Sequence, residues 1–160
     1  MKCRCYIDSP IGRLCMEEEQ GAITKLYVVG DEACETAFTA TDGEPKTQLL
    51  ELAASQLTEY FAGKRKAFDL PIRPQGTEFQ RKVWQALCRI PYGEIRSYGE
   101  IALQIGNPKA CRAVGGANHK NPILILIPCH RVVGAGGDLT GFACGLETKE
   151  YLLKLEKVID

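Results

Sequence analysis

The chain has 160 residues, with 20 basic and 20 acidic side chains and 45% hydrophobic residues. This composition is typical of a folded globular protein and excludes a disordered or low-complexity chain. The longest aliphatic run, residues 123–127, is far shorter than the roughly 20 apolar residues that cross a bilayer. Residues 1–6 are not followed by the apolar core of a signal peptide, so we expect a cytoplasmic protein.

Eight cysteines are a high number for a chain of this length. Without an export signal they favour reduced, mostly buried thiols over a disulfide framework. The spacing of Cys3, Cys5, Cys15 and Cys34 does not match paired-cysteine zinc sites, and neither histidine lies nearby. We therefore expect no metal and no cofactor.

Charge is unevenly distributed along the chain. Residues 1–70 contain 8 basic and 12 acidic side chains, whereas residues 71–160 contain 12 basic and 8 acidic ones. Pro71, Pro74 and Gly76 interrupt the chain at this change of charge. The proline-rich stretch predicts a domain boundary between residues 1–70 and residues 71–160. The asymmetry of charge indicates either uneven decoration of the surface or an acidic companion domain beside a basic, DNA-facing one.

The first half predicts three strands followed by a helix. Alternating patterns over residues 3–7, 13–16 and 21–29 are separated by turn residues, which is typical of a meander. Apolar positions over residues 45–61 recur at helical spacing, and Gly63 ends the pattern.

The second half predicts three helices. Thr77 is a helix N-cap, and apolar spacing continues to Ile90 before the breaker residues 91–93. Ser97 caps a short helix through residue 105, and residues 106–108 form a tight turn before a helix over 109–117. Two short helices joined by a turn with glycine indicate a helix-turn-helix.

The last of these helices has almost no large side chains between residues 112 and 117. Its two glycines each destabilise a helix by roughly 1 kcal/mol relative to alanine. One explanation is close packing against a neighbouring element. The other is a smooth helix that lies against a nucleic-acid backbone in a shallow groove, with Arg112 as the only long projecting group.

A nucleophile is predicted where the apolar run ends. Residues 123–127 predict a buried strand that leads directly into Cys129 and His130, a thiol beside a proton acceptor. Neighbouring side chains of extended backbone point to opposite faces, so contact requires a local turn or a bridging water. The terminal helix, residues 146–158, offers Glu156 as a partly buried partner for His130, whereas Glu147 and Glu150 suit the helix dipole.

Residues 77–156 resemble the C-terminal domain of the O6-alkylguanine-DNA alkyltransferases, also called methylated-DNA–protein-cysteine methyltransferases. The matching stretches are residues 79–84, 97–98, 106–108, 112–117, 121–122 and 127–133. Residues 1–70 match only loosely, through residues 8–10 and the order of strands and helix. The resemblance implies an α+β fold, with a ribonuclease H-like antiparallel sheet and helix followed by a mostly helical, winged helix-turn-helix-like domain that carries the active site.

The resemblance also implies an activity. The protein would repair O6-alkylguanine in DNA, mainly O6-methylguanine, with O4-methylthymine as a second candidate substrate. The alkyl group would pass irreversibly to Cys129, once per molecule, after the nucleotide is flipped out of the duplex. His130 would draw the thiol proton through a water, Glu156 would orient His130, and Asn121 would brace the turn that holds the cysteine.

Further residues take roles in binding by the same resemblance. Arg112 would fill the space of the flipped nucleotide, and Tyr98 would donate a hydrogen bond to the departing guanine. The implied DNA contacts are Ser97, Tyr98, Arg112, Ala113 and Gly115. The implied guanine pocket comprises Tyr98, Asn118, Val132, Phe142, Ala143 and Cys144. The partner would be double-stranded DNA, with a monomeric protein that needs no protein partner.

Two positions depart from the family pattern, since Phe142 and Cys144 stand where tyrosine and glycine are usual. We expect a narrower pocket that reacts less well with benzyl than with methyl adducts, and Cys144 is a candidate for a disulfide with Cys129 on oxidation. Three other functions remain open: a non-catalytic lesion binder of the same fold, a helix-turn-helix regulator, and a Cys-His-Glu hydrolase. The first replaces the acceptor cysteine, the second needs long side chains on residues 109–117, and the third turns over.

Overall fold

The chain folds into two compact units, Met1–Pro74 and Gln75–Asp160. The computed structural model describes residues 2–29, 47–134 and 145–158. Strands and helices occur in both units, and the predicted α+β class is confirmed. No helix of the described segments has the length and apolar character needed to cross a membrane.

The first unit begins with a three-stranded antiparallel meander. Strands β1 (Lys2–Ser9), β2 (Gly12–Glu19) and β3 (Ala22–Val28) lie in that order in the sheet. The first two extend beyond the predicted segments because their polar ends still pair across the ladder, as Lys2 does with Glu19. Gly21, at φ +77°, takes the left-handed conformation that the turn into β3 requires.

Helix α1 (Gln48–Phe61) packs against β1 and β2. It begins three residues later than predicted, because the Thr47 hydroxyl accepts a hydrogen bond from the Leu50 amide and caps the helix there. Its buried face supplies Leu50, Ala53, Leu57 and Tyr60 to the core. The chain after α1 returns to the sheet, where the Pro71 carbonyl accepts a hydrogen bond from the amide of Ile23 in β3 at 2.9 Å.

The second unit consists mainly of helices: α2 (Glu78–Leu87), α3 (Tyr98–Gln104), α4 (Cys111–His119) and α5 (Leu146–Leu155). Short strands β4 (Arg96–Ser97) and β5 (Val132–Val133) pair in parallel. The predicted caps are confirmed, since Thr77 and Ser97 each form a reciprocal capping box with the residue three positions later.

Helix α2 supports the predicted helix-turn-helix formed by α3 and α4. Gly106, at φ +81°, makes the turn between them possible. The indole of Trp84 is 2% exposed and donates from Nε1 to the Ala117 carbonyl at 2.9 Å. This hydrogen bond ties the end of α4 to the centre of α2.

The predicted strand over residues 123–127 is wrong, although all five side chains are buried. The segment is a tight loop in which the amide of Leu126 donates to Leu124 at 2.8 Å and that of Ile127 donates to Ile123 at 3.0 Å. Ile125 has φ +72°, a conformation that a strand does not use. The aliphatic run reflects burial, because these backbone groups are satisfied within the loop rather than by a neighbouring strand.

The six described cysteines are all free thiols. Cys5 and Cys15 are buried in the first unit, and burial raises the pKa of the Cys5 thiol to about 12, with a smaller contribution from the neighbouring Cys15. The expectation of mostly buried thiols is wrong for Cys88 and Cys111, which are exposed. Within the described residues, no group of three or more His, Cys, Asp or Glu side chains could hold a metal ion.

Candidate active site

Cys129 lies in a single turn of 3₁₀-helix, Cys129–Arg131, that follows the buried loop directly. Its amide donates to the Ile127 carbonyl at 2.8 Å, and the amide of Arg131 donates to the Pro128 carbonyl at 3.0 Å. Cys129 and His130 are both 0% exposed. The turn replaces the extended backbone that would place neighbouring side chains on opposite faces.

The side chain of Asn121 spans the base of this loop. Its Nδ2 donates to the Ile127 carbonyl at 2.7 Å, and its Oδ1 accepts from the Ile123 amide at 2.9 Å. The side-chain carboxamide of Asn121 therefore binds the loop at both ends. The Ile127 carbonyl that it contacts also accepts the hydrogen bond from the Cys129 amide. Asn121 thus fixes the backbone that presents the thiol.

Glu156 holds His130 from the end of α5. The residue is the C-cap of that helix and is 2% exposed. Its Oε2 lies 2.6 Å from His130 Nε2. A carboxylate accepts hydrogen bonds only, so the proton of neutral His130 is on Nε2 and Nδ1 carries the lone pair.

His130 Nδ1 is buried and has no hydrogen-bond partner among the described residues. Burial lowers the pKa of His130, and the positive charges of Arg131 and Lys149 act in the same direction against the opposing effect of Glu156. The imidazole is therefore neutral at neutral pH and offers a free basic nitrogen.

Arg131 completes a network that the sequence did not reveal. Its guanidinium donates to both carboxylate oxygens of Glu156, at 2.8 and 3.1 Å, and to the Ile90 carbonyl at 2.7 Å. The guanidinium carbon lies 5.7 Å from the centre of the Tyr92 ring. The partners are 25 and 41 positions away, so no local sequence pattern identifies this role.

Lys149 is a second buried cation that sequence reasoning missed. It is 0% exposed, and its Nζ donates to the Val132 carbonyl at 2.6 Å. The same nitrogen lies 6.0 Å from the centre of the Tyr98 ring. Lys149 therefore connects α5 to two predicted pocket residues, Tyr98 and Val132, whereas the predicted pocket residues Phe142, Ala143 and Cys144 lie outside the described residues.

Three of the five predicted DNA contacts, Arg112, Ala113 and Gly115, lie on α4. Arg112, Ala113 and Gly116 are exposed and Gly115 is half-buried. A Cβ atom added at Gly115 or Gly116 would meet no described heavy atom within 4 Å. Close packing within the described chain does not explain these glycines. Ser97, another predicted contact, already uses its hydroxyl to cap α3.

Two family profiles together match almost the whole chain. The profile described as 6-O-methylguanine DNA methyltransferase, DNA binding domain, matches residues 78–158. The profile of the ribonuclease-like domain of the same methyltransferase matches residues 1–74. The chain belongs to this family.

Relatives in this family match over nearly their full length. A methylated-DNA–protein-cysteine methyltransferase of Methanosarcina acetivorans is 51% identical over 93% of this chain and 94% of its own. The constitutive enzyme of that name from Bacillus subtilis is 48% identical over 94% and 93%. The crystal structure of Mycobacterium tuberculosis OGT in complex with DNA has a TM-score of 0.83 and 47% identity, covering 96% of this chain and 92% of that one.

Proposed function

We propose that this protein repairs O6-alkylguanine in double-stranded DNA by transferring the alkyl group to the sulfur of Cys129. The proposal rests on three buried residues, Cys129, His130 and Glu156. Because Glu156 binds Nε2 of His130 and keeps the proton there, Nδ1 is unprotonated. The chain belongs to a methyltransferase family, and it has relatives named protein-cysteine methyltransferases. Both findings agree with this chemistry.

The transfer is a displacement at the alkyl carbon. The thiol proton passes to His130 through a bridging water, the sulfur lone pair forms an S–C bond, and the C–O6 bond breaks with its electron pair leaving on the base. The base takes up one proton, so the products are a thioether and guanine. Tyr98 would donate a hydrogen bond that stabilises the departing base. A thioether does not hydrolyse, so each molecule acts once.

DNA would be engaged through the exposed face of α4. The small side chains at Ala113, Gly115 and Gly116 allow close approach to a backbone, and Arg112 projects from that surface. A base within a duplex is out of reach of a buried sulfur, so the nucleotide must be flipped out, with Arg112 occupying its place. A regulator that reads bases with long side chains would not use such a smooth helix.

We propose different functions for the two halves of the chain. We assign DNA binding and alkyl acceptance to residues 71–160 and a supporting role to residues 1–70. We further propose that the protein acts as a monomer without a protein partner, in the cytoplasm. The presence of Cys129 disfavours a non-catalytic lesion binder of the same fold.

Transfer can be tested by incubating the protein with duplex DNA that contains O6-methylguanine and weighing its proteolytic peptides. We expect the Cys129 peptide to gain the mass of one methylene, because Cys129 precedes His130, whose Nδ1 is free to accept a proton. Cys129→Ala should show no gain. The exposed thiols Cys88 and Cys111 are internal controls that should stay unmodified. Methylation of those thiols instead, or repeated turnover, would contradict the proposal.

Flipping can be tested with Arg112→Ala. We expect repair of O6-methylguanine in duplex DNA to slow by about tenfold or more, since an unfilled stack costs a few kcal/mol. Reaction with the free base O6-methylguanine should change little, because that substrate needs no extrusion. Rates of Cys129 methylation on the two substrates decide the matter, and equal losses on both would rule out this role for Arg112.

A further inference from the structure

The segment between α2 and β4 contacts both members of the buried ion pair of Arg131 and Glu156. The carbonyl of Ile90 accepts a hydrogen bond from Arg131 Nη1 at 2.7 Å, and the amide of Gly93 donates to Glu156 Oε1 at 3.5 Å. Tyr92 lies between these two residues in the chain. Its half-buried side chain has no role in the proposed reaction as described so far.

The side chain of Tyr92 makes two different contacts. Its ring centre lies 5.7 Å from the guanidinium carbon of Arg131, and its hydroxyl donates to the Leu155 carbonyl at 3.3 Å. Burial raises the pKa of Tyr92, and the charge of Glu156 acts in the same direction against the opposing effect of Arg131. The phenol therefore stays protonated at neutral pH and is able to donate this hydrogen bond.

The position of Glu156 explains why these contacts matter. It is the C-cap of α5, where the carbonyls at the end of a helix carry partial negative charge and disfavour a carboxylate. The guanidinium of Arg131 compensates the carboxylate only while the two groups stay in contact. The hydroxyl of Tyr92 satisfies one of the terminal carbonyls, that of Leu155, the residue directly before Glu156. Tyr92 thus contacts both the cation and the helix end.

We propose that Tyr92 is a positioning residue for methyl transfer. Its ring keeps Arg131 against Glu156, and its hydroxyl stabilises the end of α5, so that the carboxylate stays on Nε2 of His130 and leaves Nδ1 free. Cation–π contacts are strongest where the cation is shielded from water, and Arg131 is 7% exposed. The inference rests on the proposed function, because it concerns the base that accepts the thiol proton.

Two substitutions separate the contacts of Tyr92. Tyr92→Leu removes both, and we expect the single-turnover rate of Cys129 methylation from duplex O6-methylguanine to fall by about tenfold or more. Tyr92→Phe keeps the ring beside Arg131 and loses only the hydroxyl hydrogen bond, so the rate should fall by about threefold or less. Affinity for duplex DNA should not change in either variant. Tyr151→Leu removes a tyrosine of α5 that is 37% exposed and is the control that should transfer at the native rate.

The protonation of His130 provides a readout that a loss of stability alone does not move. The chain has two histidines, so NMR spectra of protein with labelled histidine show His130 together with the exposed His119 as an internal control. In Tyr92→Leu the displaced guanidinium no longer opposes protonation of the ring, so the pKa of His130 should rise above its native value. The other charged groups that act on it, Glu156 and Lys149, are unchanged in the variant.

A native rate of transfer in Tyr92→Leu would overturn the inference. So would a slower rate with an unchanged titration of His130, which would leave Tyr92 with a structural role alone. Should Tyr92→Leu not fold, fluorinated phenylalanine at position 92 keeps the shape of Tyr92→Phe and weakens the attraction of the ring for a cation. A rate equal to that of Tyr92→Phe would then overturn the inference. Failure of the native protein to methylate Cys129 would instead refute the proposed function, since the titration needs no substrate.

Discussion

The carboxylate of Glu156 binds both His130 and Arg131. It fixes the tautomer of His130 through a 2.6 Å contact and compensates the buried charge of Arg131 through two further contacts. Buried charges are costly when their partner is removed, and imidazole bases are ineffective in the wrong tautomer. The same side chain therefore controls both the stability of the second unit and the chemistry at Cys129.

Glu156→Gln should reduce both methyl transfer and stability, whereas a glutamate substitution at an exposed position of α5 should reduce neither. We expect methyl transfer to slow by about 100-fold or more, because glutamine has one acceptor oxygen instead of two and no charge to hold the proton on Nε2, and general base assistance is of this size. Unfolding free energy should fall by about 3 kcal/mol, since Arg131 loses its counter-charge. Single-turnover rates and urea unfolding measure the two effects. Glu147→Gln, at an exposed position on the same helix, is the control, and native-like transfer by Glu156→Gln would refute the role.

At the scale of helices, strands and loops, features set by neighbouring residues could be predicted from the sequence, whereas contacts between residues far apart in the chain could not. Thr77 and Ser97 satisfy amides three residues away, so the starts of α2 and α3 follow from the sequence itself. The loop at residues 123–127 depends on Asn121, and a continuous apolar run cannot distinguish a buried strand from a buried loop. Arg131 and Lys149 were missed because their partners are brought together only by the tertiary fold.

The glycines of α4 provide a prediction at this scale. Gly115→Ala combined with Gly116→Ala should stabilise the protein by up to about 1 kcal/mol per site, because alanine favours helix and the added Cβ atoms have open space. Affinity for duplex DNA should fall, since the new methyl groups occupy the surface that approaches the backbone. Urea unfolding and binding at fixed salt measure the two. Unchanged affinity would show that DNA does not contact this face.

Across the whole molecule, the chain divides into two compact units, so unfolding need not occur in one step. A signal from one unit is required to follow its stability. Trp84, the single tryptophan of the chain, is 2% exposed within the second unit. Its fluorescence therefore reports on the unit that contains Cys129.

Acidification should destabilise this unit through His130. Burial lowers the pKa of His130 below its usual value of about 6.5, so below that pH the unfolded chain binds a proton that the folded chain resists. The contribution of neutral His130 to the free energy of unfolding is complete above about pH 6.5 and declines as the pH falls toward 5. Urea unfolding followed by Trp84 fluorescence at several pH values measures it. His130→Gln should flatten the profile, whereas His119→Gln, at an exposed position, should not; greater stability at pH 5 than at pH 7 would contradict the prediction.

The pairing of Glu156 with Arg131 has one more consequence. Because the charge of the Glu156 carboxylate is already matched by Arg131, a proton that arrived on His130 would give this buried site an excess positive charge. An imidazolium there is tolerable only beside an anion, first the Cys129 thiolate and then the departing nucleobase. Capture of the alkyl group and neutralisation of the restored guanine would then occur as one coupled event, and the site would hold no stored proton between encounters with damage.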